Sequence, residues 1–214
     1  MKRVLVSLLL VSVLVGCSSA QLDSPQGFTG PEATAGDAQS ALNLLKNDLT
    51  NPAALGYHLS KDEASRFVAG VPVQYWGLVG FSPTLTDIWS QMKRSPAVLV
   101  PVMLDGKDVA SFDLSYADGA WTETAAGSDT DPVMASVRKV QERLGPAAEV
   151  RVVDVVGPHR YETTMVIGRQ GAELAAALPS TPNKPLAWAT VPVVGHVYTG
   201  QELKALLVPF ASGP

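Results

Sequence analysis

The chain has 214 residues, 46% of them apolar and only 17% charged, with 20 Asp and Glu against 16 Lys and Arg for a formal charge of −4. Enough apolar surface is present for a real core, which excludes an intrinsically disordered chain. An acidic balance without a basic cluster excludes nucleic acid as the partner, because phosphate binding draws on Lys and Arg. It also argues against electrostatic docking to anionic lipid.

Residues 1–16 carry the three parts of an export signal: the basic pair Lys2 and Arg3, an uncharged apolar run from Val4 to Val15, and small residues from Gly16 onward. At about 1.5 Å rise per residue, twelve helical residues span roughly 18 Å, short of a hydrocarbon core of about 30 Å. A permanent transmembrane anchor is therefore the weaker reading. Leu14-Val15-Gly16-Cys17 resembles the lipobox of bacterial lipoproteins, and Cys17 is the sole cysteine of the chain. The resemblance implies that the Cys17 thiol receives a diacylglyceryl group and that the signal is cut ahead of it. A 198-residue mature chain follows, with 14 basic and 20 acidic residues and a charge of −6. Two or three acyl chains hold a protein stably at a membrane, where one is marginal. Ser18 after the cysteine resembles outer-membrane sorting in a cell with two membranes. Ordinary cleavage after Ala20, which would leave a soluble exported protein, is the alternative.

With Cys17 lipidated no thiol remains for a disulfide, so burial alone holds the fold. A domain of about 175 residues buries roughly 70 per cent of its unfolded surface and needs no staple. Residues 17–36 are rich in Ser, Gln, Pro, Gly, Thr and Ala, and read as a flexible tether behind the lipidated cysteine. Residues 37–214 read as one globular domain.

Asp37 is the expected N-cap of a helix to about Leu49, with Ala41, Leu42, Leu45 and Leu49 along one side. Ser60-Lys61-Asp62-Glu63 fits a capping box opening a short helix that Gly70 closes. Val71 to Phe81 reads as an edge or bulged strand marked by Pro72, Gly77 and Gly80. Ser82-Pro83 then opens a helix to about Lys93. Ala97 to Leu104 is a nearly unbroken apolar run, which suits a strand covered on both faces. Asp105-Gly106 and Asp118-Gly119 are hairpin turns joining it to Val109–Tyr116 and Ala120–Thr124 in a three-stranded meander.

Asp131 caps a helix with Pro132 at its first position and Gly145 past its end, its apolar stripe formed by Val133, Val137, Val140 and Leu144. Glu149–Val156 and Arg160–Ile167 pair through Gly157-Pro158. A short helix is expected at Ala172–Leu178, then a proline-rich loop over Pro179–Pro185, a strand at Leu186–Val194 and a last helix after Thr199. Strands arranged as sequential hairpins, with helices between them, predict an α+β fold with a mainly antiparallel sheet.

Motifs for chemistry are missing. His58, His159 and His196 stand in no HxH or HExxH spacing, so a metal site has no local support. There is no P-loop and no GxGxxG, and no cofactor is expected. Gly80-Phe81-Ser82-Pro83 has proline where a nucleophile elbow needs a flexible turn. Asp129-Thr130-Asp131 resembles a fragment of a calcium loop without its later acidic ligands, and helix capping explains it better. Tyr75, Trp76, Trp89, Trp121 and Trp188 could line a groove for sugar or peptide, though each also fits a core position. The leading expectation is a membrane-tethered envelope lipoprotein, held through lipid on Cys17, that binds a protein, peptide or envelope polymer without catalysis. One alternative is an envelope hydrolase assembled from distant residues such as His58, Ser82, Asp113 and His159. Another is a purely structural envelope component.

Overall fold

A computed structural model describes residues 27–49, 60–79, 88–126, 132–157, 162–180 and 192–210. The export signal, Cys17, Asn51-Pro52, Ser82-Pro83, Asp131 and the Leu186–Val191 part of the expected late strand lie outside the described residues. The chain forms α1 (Ala35–Leu49), α2 (Lys61–Ala64), β1 (Val68–Ala69), β2 (Val73–Val79), α3 (Ile88–Gln91), β3 (Lys93–Leu104), β4 (Lys107–Ala117) and β5 (Ala120–Ala126). These are followed by α4 (Pro132–Leu144), β6 (Glu149–Val156), β7 (Glu162–Gln170), β8 (Glu173–Ala177), β9 (Val197–Thr199), α5 (Gly200–Leu207) and a 3₁₀ turn, Val208–Phe210.

The architecture is α+β. Eight strands stand in the order β5-β4-β3-β2-β6-β7-β8-β9, and β1 pairs with β3 beyond the end of β2. Two antiparallel units, β3-β4-β5 and β6-β7-β8-β9, meet through β2, which is antiparallel to β3 and parallel to β6. Both Asp-Gly turns of the first unit have positive φ at each central residue, 51° and 78° at Asp105-Gly106 and 52° and 86° at Asp118-Gly119. That is the type I′ geometry, whose twist matches the strands it joins.

One face of the sheet carries two groups of helices. α1 lays Ala38, Ala41, Leu42 and Leu45 onto Val98, Val100, Phe112 and Leu114. Over the other unit, α3 and α5 pack Trp89, Leu203 and Leu207 on Val153, Met165 and Ile167. The opposite face is covered by α4, whose Met134, Val137, Val140 and Leu144 rest on Leu99, Val152, Val166 and Ala175. Residues alternate between faces along each strand, so both sides of β3 and β6 are apolar. Gly168 of β7 lets α4 come close: a Cβ there would stand 2.4 Å from Val140 Cγ1 and 2.8 Å from Leu144 Cδ1.

Several expectations are corrected. Asp37 is not the N-cap of α1 but its third helical residue: Thr34 Oγ1 accepts from the Asp37 N–H at 3.1 Å, while the Asp37 carboxylate accepts from the Thr34 N–H at 2.8 Å. The Ser60 capping box is present, yet its helix ends at Ala64, and Val68–Ala69 already pair with β3 before Gly70. β2 is an interior strand, bulged between Gln74 and Trp76, and Lys93 opens β3 rather than closing a helix. The expected helix at Ala172–Leu178 is strand β8, entered through Gly171 at φ 59°. Alanine favours helix by less than about 1 kcal/mol per residue. Here that preference yields to a ladder against β7 and to burial of Ala175 and Ala177 under α4, with Ala176 on the other side. Residues 192–196 are not strand, and β9 begins at Val197.

The expected tether also contains structure. Phe28 is buried, and its N–H donates to the Arg94 carbonyl at 2.9 Å, so the chain is in contact with the sheet nine residues ahead of Asp37.

Candidate functional site

Of the residues considered for a hydrolytic centre, only Asp113 is among those described. His58, Ser82 and His159 fall outside them. Asp113 projects from β4 on the α4 side of the sheet, and Tyr75 reaches across the intervening β3 to donate its hydroxyl to Asp113 Oδ1 at 3.2 Å. That bond ties β2 to β4 and gives Asp113 a structural role. His196 stacks edge-on to Tyr198 at 4.7 Å between ring centres. No group of three or more His, Cys, Asp or Glu side chains is placed to hold a metal among the described residues.

The tryptophans are occupied by their own chain. Arg151, on β6, lies between two of them, its guanidinium 3.7 Å from the centre of Trp76 and 4.0 Å from that of Trp89. Flat cation stacked on flat ring is favourable, and more so where water is excluded. Its Nη1 donates to the Trp89 carbonyl at 3.1 Å, and its Nε and Nη2 donate to Glu149 Oε1. Arg169 adds a second cation 4.7 Å from the Trp89 centre. A sugar-binding platform needs an open indole face, and these faces are covered by arginine. Trp121 packs in a separate aromatic group with Phe28 and Tyr116. Trp188 lies outside the described residues.

One buried carboxyl among the described residues was passed over by motif reasoning. Asp154 is the lone acidic residue inside Val152-Val153-Asp154-Val155-Val156, opposite Gly77 on β2 and Thr164 on β7. Thr164 donates its hydroxyl to Asp154 Oδ1 at 2.8 Å. Burial raises the pKa of the Asp154 carboxyl, the Thr164 hydrogen bond opposes the rise, and the Glu162 charge adds to it. Desolvation therefore dominates, as expected for a carboxylate in a valine-rich surface. Among the described residues its one hydrogen-bond partner is the Thr164 hydroxyl.

It does carry a pH signature. A folded-state pKa above the unfolded value means that the folded protein binds the extra proton. The stabilisation is complete below the unfolded value of 3.8 and is lost as pH rises through the raised value. Asn at 154 can still accept from Thr164 and carries no charge. Asp154→Asn should therefore match the wild type in stability at strongly acidic pH and exceed it at neutral pH. Urea unfolding midpoints of both proteins across the acid range check this. A variant less stable at neutral pH would show that the carboxylate has a compensating partner.

The chain matches no protein-family model, no curated protein and no solved structure.

Proposed function

We propose that this chain is a lipid-anchored cell-envelope protein whose α+β domain binds a protein, peptide or envelope polymer without transforming it. The address rests on Leu14-Val15-Gly16-Cys17 behind a basic and apolar leader. No helix among the described residues is long and apolar enough to cross a membrane. The binding role is supported by one surface above all. β1 pairs with β3 alone among the described strands, and Val68 within it and Val71 just after it are 56% and 81% exposed. The Ala69 N–H is already taken by Gln39 of α1 at 3.0 Å, so what this surface offers a partner is its exposed valine side chains, not a strand edge.

The test is capture from envelope extract by the chain beginning at Cys17, compared with its Val71→Glu variant. A side chain this exposed tolerates replacement within about 0.5 kcal/mol. The expected result is a partner retained by the wild type and lost, by tenfold or more, from the variant at unchanged melting temperature. Equal retention by both would remove the Val68–Val71 surface as the contact.

A further inference from the structure

The two Asp-Gly turns share a geometry and differ in one contact. In each, the flanking residues pair across the turn, Leu104 with Lys107 and Ala117 with Ala120, so the glycine N–H stands outside the ladder. Both aspartates and both glycines are exposed, and a Cβ built on either glycine would meet nothing within 4 Å. The difference is Arg66, whose Nη1 donates to Asp105 Oδ2 at 2.6 Å. The Asp118 carboxylate makes no hydrogen bond or ion pair among the described residues.

We propose that Asp118 is a modification site, where the main chain isomerises to isoaspartate without an enzyme, and that Arg66 protects Asp105 from the same reaction. A backbone nitrogen followed by no Cβ is the least shielded nucleophile a chain offers, and an aspartyl side chain has the length to close a small ring on it. The Gly119 nitrogen attacks Cγ of Asp118 in its acid form. A C–N bond forms, a C–O bond breaks, and the carboxyl hydroxyl leaves with the amide proton as one water. Water then opens the cyclic imide. Attack at the original peptide carbonyl leaves the chain running through Cβ and Cγ, with the α-carboxyl as a side group, and attack at the other carbonyl restores aspartate. One water leaves and one returns, so no oxidant or cofactor is drawn on and the mass is unchanged.

At Asp105 the carboxyl carbon can turn onto the Gly106 nitrogen only once the bond to Arg66 is given up. That pair is exposed, with the two side chains 53% and 64% accessible, and exposed ion pairs shift an equilibrium by about two- to fivefold. Isoaspartate at 118 puts an extra methylene into the main chain of a turn whose type I′ form depends on two consecutive residues at positive φ. β5 follows that turn, ends the strand order and pairs with β4 alone among the described strands, so the change falls on the edge of the sheet.

The folded protein, kept at mildly acidic pH and physiological temperature, is digested and mapped by electron-transfer fragmentation, which separates isoaspartate from aspartate at each turn. Accumulation at Asp118 should run about two- to fivefold faster than at Asp105. In urea, where the Arg66 contact is gone, the two rates should converge. They should also converge in Arg66→Gln, an exposed replacement whose melting temperature checks that the fold is kept; if it melts lower, the urea comparison decides. Absence of isoaspartate at Asp118 in the folded protein overturns the site. Equal rates in the folded wild type, or a preference for Asp118 that persists in urea or in folded Arg66→Gln, overturns the protection by Arg66.

Discussion

Replacing Cys17 with Ala is expected to move the protein from the membrane fraction to the soluble one, or to leave it as an uncleaved precursor. The substitution removes the only thiol that could take a diacylglyceryl group. Each buried CH₂ of an acyl chain is worth about 0.8 kcal/mol, so two long chains contribute more than any surface contact could restore. The residues from Cys17 onward carry a formal charge of −6, and an anionic bilayer offers them no compensating attraction. Detergent phase partitioning and intact mass decide the matter. A wild-type protein that partitions to the aqueous phase with a free thiol, or that begins at Gln21, would show that Leu14–Cys17 is not a lipobox.

The second large effect concerns the core. Phe112→Ala should destabilise the domain by about 3–5 kcal/mol, against a total stability of about 5–15 kcal/mol for a domain of this kind. Phe112 is fully buried at the centre of β4, paired with Val100 on one side and Ala126 on the other. α1 closes over it with Ala41, Leu42 and Leu45, so the space left by the ring has little freedom to collapse. Leu44 on the outer side of the same helix is 82% exposed, and Leu44→Ala should change stability by no more than about 0.5 kcal/mol. Urea unfolding of the two variants measures the contrast. Comparable losses would mean that α1 is not seated on the meander through the face described.

The tryptophans show where reading the chain for a site stops. Trp76 and Trp89 were recognisable as either groove or core, and the residue that decides between them, Arg151, lies 62 positions from Trp89. Nothing local to Arg151 announces that it fills the space between two indoles. Asp154 stands as the odd residue in a run of valines, but its raised pKa comes from burial that only the packed sheet produces.

What the sequence by itself determined is whatever a few adjacent residues can enforce. The two Asp-Gly turns require only positive φ at neighbouring positions. The Ser60 and Thr199 capping boxes each close within four residues, and the stripe on α4 follows from helical periodicity. These settled the meander, three helix positions and the α+β class. Tertiary structure alone decided the parallel pairing of β2 with β6, the extended form of Ala-rich β8 and the seat of Phe28 between Tyr116 and Trp121. In each of those cases weak local preferences, worth less than about 1 kcal/mol per residue, were outweighed by burial against partners distant in the chain.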